Sequence, residues 1–318
     1  MEGVPDMGNT RQLQVMKREA GFTLVELMVS TSILLVVSGI VVGATMDLTR
    51  LSTTMTNRSD MHSGVRNATA LLQQEVGQAG RISLAAPSAL SAAVGIGVAT
   101  VAVSSTASIF VGERLVVGTG STAETVTLTA VDTAANQITA NFMLPHVAGT
   151  RLATTGGFSA GVIPTTMANG STGNVLKILG DINGDGNMVY VEYTCDLAGG
   201  RLLRNVMPFD AAVKPMPTVE QILLDNLLPN PPNPGGGVPP CFIYQEQTFA
   251  GTTYVIGVAI MTTVRTQQRD AITNDFQRVT KALLNVSPRN VVNVWQLASL
   301  HYLNRVQPVP PSVVALLP

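Results

Sequence analysis

Three constellations in the chain have residue types and spacings that chemistry could use. Asp181-Ile182-Asn183-Gly184-Asp185-Gly186-Asn187 followed by Glu192 fits D-x-[DN]-x-[DN]-G-x5-E. In that pattern alternate side-chain oxygens and one carbonyl surround a calcium ion while glycine makes the sharp turn. Asp181, Asn183, Asp185 and the Asn187 carbonyl are the leading ligands. Glu192 comes after them, because an alternating strand can point it away from the loop. The same Asx- and Gly-rich composition also suits a tight hairpin, and the flanks read as strands rather than helices. Gly157-Phe158-Ser159-Ala160-Gly161 matches the G-x-S-x-G elbow of serine hydrolases, which needs a strand before it and a helix after it. Here the serine lies in a Gly, Thr and Ala stretch that soon meets Pro164, which argues against a nucleophile. His62, His146 and His301 are scattered, with no second ligand at helical or turn spacing, and there is no P-loop. The chain is read as a non-enzyme, with calcium as the one cofactor the spacing fits.

The third constellation is a single carboxylate in a membrane-length apolar run. From Phe22 to Met46 the only charge is Glu26, and roughly 25 residues at 1.5 Å rise span about 37 Å, against a bilayer core of about 30 Å. Arg11, Lys17 and Arg18 precede the run, so the lysine and arginine bias keeps the N-terminus cytoplasmic and exports nearly everything after Asp47. An ordinary secretory signal places its small-residue cleavage site beyond the apolar core. Here the small-residue junction, Ala20-Gly21, lies before it. Cutting between Gly21 and Phe22 removes the basic leader, keeps the apolar helix and creates an α-amino group on Phe22, one helical turn from Glu26. An acid in hydrocarbon calls for a named partner. Glu26 either snorkels to the interface or pairs with such an ammonium, its own or that of a neighbouring subunit.

Residues Lys17 to Ser30 resemble the type III signal of type IV pilins and pseudopilins: Gly21 ends the leader, Phe22 begins the mature chain, and Thr-Leu-Val-Glu-Leu follows. The resemblance implies that a prepilin peptidase cuts after Gly21 and N-methylates Phe22, and that Glu26 guides docking into a growing fibre. It also implies as partners the other minor pilins, the major pilin, the peptidase and the inner-membrane assembly platform. The leader from Met1 is long for this family; a start at Met16 would give one of ordinary length.

The organisation divides into a leader (1–21), a transmembrane half-helix (22–46), an amphipathic half-helix (47–84), an inserted β module (85–167) and a β head with a C-terminal tail (168–318). Leu48, Leu51, Met55, Met61, Val65, Ala68, Leu72 and Val76 recur at three- and four-residue steps, continuing one helix to about Gly77 or Gly80. The steps are too irregular for a coiled coil, so the stripe is read as packing on a sheet. In the insert, Thr125 to Val131 and Gln137 to Phe142 alternate with period two around an Asp-Thr-Ala-Ala-Asn turn. The stretch from Val111 to Thr150 is similar to compact β modules of surface and phage-tail proteins, which implies a structural or contact role.

Head strands are expected over 174–179, 188–195, 201–206, 241–248, 253–265 and 276–285. A short helix is expected after a Thr218/Gln221 capping box, and an irregular loop over 229–240. The fold class is α+β: one long helix packed on an antiparallel sheet. Tyr193 to Arg204, with its Gly199-Gly200 turn, and Ser287 to Val291 closing the last strand resemble the heads of PilW-type minor pilins and of J-type secretion pseudopilins. That likeness implies a minor, tip-located subunit.

Charged residues make up 12% of 318 residues, against about a quarter in typical domains, and the net charge is -1. Nothing here builds a polyanion-binding surface, so direct nucleic-acid binding is excluded from the reading. Cys195 and Cys241 fall in the exported part, where an oxidising compartment permits a disulfide worth about 4 kcal/mol; the alternative is two buried thiols.

Overall fold

The computed structural model describes residues 21–85, 87–214 and 219–314; side-chain surroundings are not described for Leu283 and Leu284. The leader up to Ala20 and Thr218 of the expected capping box lie outside the described residues. The chain forms two compact units, Met1–Thr53 and Thr54–Pro318.

A single helix, α1 (Leu24–Gln78), contributes to both. In the first unit each described residue of it is exposed, and leucine, methionine and alanine are interspersed with short β-branched runs such as Ile40-Val41-Val42, which lower helix propensity only slightly. In the second unit the helix buries Val65, Ala68, Thr69, Leu72, Glu75 and Val76 on one face. The expected stripe began at Leu48, but Leu48, Leu51 and Met55 are exposed. Burial starts where the head begins to cover the helix: a Cβ added to Gly64 would touch Leu224 at 3.5 Å, and Met61 is already partly buried against the same core. α1 ends before Gly80, which has φ +90 and crosses so close to Gly161 that a Cβ there would come within 2.6 Å of the Gly80 nitrogen. Only glycine fits both demands.

The insert follows. Its strands are β1 (Ser88–Ala89), β2 (Gly97–Ala102), β3 (Arg114–Val117), β4 (Glu124–Asp132), β5 (Gln137–Phe142) and β6 (Arg151–Thr154), in the spatial order β1-β6-β3-β4-β5-β2. The two ends of this order meet: Leu90 bridges Val103, Ser91 N–H donates to the Ala102 carbonyl (2.8 Å), and Ser104 N–H donates to the Ala89 carbonyl (2.9 Å). The sheet thus closes into a small barrel filled by Leu90, Leu115, Val126, Leu128, Ile138 and Phe142. The module was expected to run to Met167, yet its strands stop at Thr154. Beyond them Phe158, Ala160 and Ile163 pack with Leu179, Met188, Phe209 and Val313 instead.

The head contains β7 (Gly157–Phe158), β8 (Val175–Gly180), β9 (Val189–Asp196), β10 (Arg201–Pro208), β11 (Gln221–Asp225), β12 (Leu227–Leu228), β13 (Phe242–Phe249), β14 (Thr252–Arg265), β15 (Arg278–Val286), α2 (Arg289–Ser299), β16 (Val306–Gln307) and the short α3 (Pro311–Val314). One antiparallel sheet runs β11-β10-β9-β8, a second runs β12-β14-β13 with β15 also on β14, and β16 pairs with β7 in parallel. The main core joins the buried face of α1 to both sheets through Leu72, Val76, Tyr193, Leu202, Phe242 and Val255. An α+β class with a long N-terminal helix and an antiparallel head describes this arrangement.

Two further expectations fail. Residues 221–225 form strand β11 rather than a helix, because the edge of β10 offers ladder partners (Leu202 opposite Leu224, Leu203 opposite Ile222), and that pairing buries Leu224. Tertiary pairing overrides the leucines' local preference. Conversely, Ser287 to Val291 lead into α2, with Pro288 at its N-cap and Val291, Val294 and Ala298 buried. Proline before a three- and four-step apolar pattern is an ordinary helix start.

Candidate functional site

The start of α1 is built from four residues. Glu26 N–H donates to the Thr23 hydroxyl oxygen (3.2 Å). In return, Thr23 N–H (2.9 Å) and the Thr23 hydroxyl (3.0 Å) donate to Glu26 Oε2. This is a reciprocal capping box: two amides that have no partner in the first turn are both satisfied, and the carboxylate is folded back onto the helix N-terminus. Glu26 is therefore held one residue from the Phe22 nitrogen, the atom that cutting after Gly21 would turn into an ammonium. Phe22 is 87% exposed, and nothing lies within 4 Å of where a Cβ on Gly21 would be. Thr23 was missed in the sequence, although Thr23-x-x-Glu26 has the capping-box spacing.

Further along, Thr31, Ser32, Thr45, Thr49 and Thr53 each donate their hydroxyl to the carbonyl four residues back, at 2.8 to 2.9 Å. Every one of these hydroxyls is satisfied inside the helix, as hydrocarbon surroundings require. α1 is the one described helix long and apolar enough to cross a membrane. Gly39 and Gly43 stand one turn apart with open space beside both, a spacing that lets another helix approach closely.

In the head the polar groups are paired across elements. Glu75 is 3% exposed. It accepts from the Tyr193 hydroxyl and from two nitrogens of Arg204, whose Nη1 also donates to the Gln221 side chain (3.0 Å). Burial, reinforced by the Glu75 charge, pushes the Tyr193 hydroxyl far above the usual phenol range, so it stays a donor. Arg81, just after α1, forms a fully buried ion pair with Glu113 at the barrel, donates to the Ser108 carbonyl (2.6 Å) and stacks over Phe158. Desolvation raises the Glu113 carboxyl, and the Arg81 charge opposes that rise. None of these pairings was visible in the sequence, because a lone charge among apolar residues is the only local sign of each.

Cys195 at the end of β9 and Cys241 just before β13 are buried and joined in a disulfide that ties the two head sheets together. The Asp/Asn loop joins β8 to β9 as a hairpin. Asp181 Oδ2 accepts the Gly186 amide (2.6 Å), Asp185 Oδ1 accepts the Asn187 amide (2.8 Å), and Gly184 and Gly186 take positive φ. The Asn187 amide, first among its hydrogen-bonding neighbours, holds the Asp185 carboxyl below its ordinary value. Asn183 is exposed. Glu192 is buried in β9 and accepts the Tyr190 hydroxyl (2.9 Å). Among the described residues no group of three or more His, Cys, Asp and Glu comes together to hold a metal ion, so Glu192 is not gathered with Asp181 and Asp185.

Ser159 is buried after the two-residue strand β7, and the chain runs on as loop rather than helix. His146 pairs with Glu124 at the barrel (2.7 Å), His301 meets Phe249 edge to face, and His62 sits on the exposed face of α1.

Residues 16–42 match the family described as Prokaryotic N-terminal methylation motif. No curated protein matches the chain. The motif supports a type IV pilin-like or pseudopilin character, a structural rather than catalytic role and assembly with other such subunits after peptidase processing. With the apolar N-terminal helix it fits a protein anchored in the inner membrane.

Proposed function

We propose that the chain is a minor type IV pilin. It is inserted in the inner membrane with its N-terminus cytoplasmic and its head periplasmic, cut after Gly21, N-methylated on Phe22 and incorporated in a small tip or priming complex that starts fibre assembly. The observation that carries the reading is the methylation motif at the start of an exposed apolar segment whose one carboxylate, Glu26, is folded back onto the helix N-terminus next to Phe22. In the assembly step α1 exchanges lipid for like helices, a transfer with little hydrophobic cost because both surroundings are apolar. Glu26 sets the axial register by pairing its charge with a Phe22 ammonium. Partners are the other minor pilins, the major pilin, the peptidase and the assembly platform.

A J-type pseudopilin of type II secretion would share every feature of the helix, and a tip adhesin acting through the barrel would share the anchor. Mass spectrometry of the N-terminus of protein purified from its own host tests the processing step: N-methyl-Phe22 is expected, and a chain still carrying Lys17 would reject it. Deletion of the barrel, residues 88–154, then separates the roles. Loss of fibres is expected for priming, whereas normal fibres without surface attachment would transfer the assignment to adhesion.

A further inference from the structure

The turn that joins β14 to β15, residues 266–277, gathers positive charge that the fold leaves unbalanced. Arg265, the last residue of β14, stands directly opposite Arg278, the first of β15. Like charges facing each other across a ladder are destabilising. Arg265 lies over the Phe276 ring (4.4 Å to its centre), and Arg269 lies over the same ring (5.0 Å). Among the described residues none of these three arginines has a carboxylate partner. Arg269 Nη1 donates to the Asn274 carbonyl (2.8 Å), and the buried Arg265 Nε finds no acceptor. Of the exposed charges from 265 to 281, Arg269, Arg278 and Lys281 are positive and Asp275 is negative.

The turn has a fixed shape with an apolar tip. Asp270 is buried, and its Oδ1 accepts the amides of Ile272 (2.8 Å) and Thr273 (3.0 Å), while Asn274 takes φ +58 and donates its amide back to the Asp270 carbonyl (2.8 Å). This leaves Ile272 70% exposed at the tip. The base of the turn rests on α1, where Asn57 Nδ2 donates to the Gln268 carbonyl (2.8 Å). Arg265 and Gln267 line a cleft there with Asn57, Met61 and Asp60, an acid that pairs with none of the arginines. In the sequence Asn57 comes soon after Met46, where the apolar run ends.

We propose that this turn is a membrane-docking loop, in which Ile272 enters the headgroup boundary of the bilayer that holds α1 while Arg269 and Arg278 take the phosphates of anionic lipids. An apolar tip flanked by cations suits that boundary, since one side chain reaches hydrocarbon while the guanidiniums stay among phosphates. Cations alone would fit an acidic protein equally well; the exposed isoleucine beside them selects lipid. Docking requires only that α1 lies in a membrane, and it holds for a pilus or a secretion subunit alike.

The test uses the full chain in nanodiscs of phosphatidylglycerol or of phosphatidylcholine. An environment-sensitive nitrobenzoxadiazole dye is placed on Thr273→Cys or, as a control, on Val147→Cys in the barrel. Both positions are exposed, and Cys195 and Cys241 are already joined. The Thr273 dye is expected to shift to the blue in phosphatidylglycerol only and to return as salt is raised, with no shift at Val147. Arg269→Gln and Arg278→Gln are each expected to lower the ratio of docked to free loop about fivefold, the share of one arginine near an anionic surface. Ile272→Asp is expected to abolish the shift without changing the Tm. An equal shift in phosphatidylcholine, an equal shift at Val147, or no shift in either lipid would overturn the proposal. A shift that grows with protein concentration would assign the loop to another protein and overturn it too. A chain that enters neither disc, as size-exclusion chromatography reports, would instead remove the membrane anchor itself, and the docking with it.

Discussion

Two glutamates on one helix show how differently the two units of this protein are held. Glu26, in the first unit, has only local partners: the amide and hydroxyl of Thr23, three residues away. Glu75, in the second, is held by Tyr193 and Arg204, which lie more than a hundred residues further along the chain. The apolar residues follow suit. Leu34 and Leu35 are more than 60% exposed, whereas Leu72 and Val76 are fully buried. A hydrogen-bonded helix needs no tertiary structure to satisfy its backbone, but its exposed leucines need an apolar environment from outside the chain. The first unit is therefore held by its own backbone and open to whatever apolar surroundings it meets, whereas the second is held by contacts between distant parts of the chain.

The largest test of this contrast is Glu75→Ala. It leaves the fully buried Tyr193 and the partly buried Arg204 without their acceptor and is expected to cost about 3 to 5 kcal/mol in chemical unfolding of the head. Glu26→Ala is expected to leave that unfolding curve where it was while abolishing fibre incorporation. If the two variants melt alike, the contrast is wrong. Next in size, Cys195→Ser with Cys241→Ser opens a loop with a sequence separation of 46 and is expected to lower head stability by about 4 kcal/mol or somewhat less. The helicity of the first unit should not follow it, as circular dichroism of a membrane-inserted sample would report.

The smallest effect is on pH dependence. Burial pushes the Glu124 carboxyl up, but the amides of Met143 and Leu144 and the ring of His146 together hold it below its ordinary value. A depressed acid adds stability that is complete above the ordinary carboxylate range and is lost as pH falls through the folded value. Melting of the second unit should therefore weaken on acidification below about pH 4.5, and Glu124→Gln should flatten that slope. A slope unchanged by this variant would remove Glu124 as the cause.

Much of the fold was legible in the sequence because its signals are local. The membrane-length run, the period-two strands and the hairpin glycines depend on neighbours two to four residues apart, and the observed β8, β9, β10, β13, β14 and β15 fall within two residues of the expected strands. β11 was misread because Ile222-Leu223-Leu224 carries no preference strong enough to resist the free edge of β10. α2 was overlooked because its apolar positions, Val291, Val294 and Ala298, are few and follow a proline that was read as the end of a strand. At the candidate site, Gly21, Phe22 and Glu26 were named from the small-residue junction, the lone acid and the resemblance to pilin signals, and Thr23 could have been found from its capping-box spacing to Glu26.

What the sequence by itself determined is the anchor: a run of apolar residues long enough to span a bilayer, broken by one acid and preceded by a basic stub, has few physical solutions. What only the tertiary structure decided is the second unit: the closure of the insert into a barrel through Leu90 and Val103, and the burial of Glu75 beneath two strands. Those outcomes depend on which distant surfaces come together, and burial gives a charge or hydroxyl its consequence only after the chain has enclosed it.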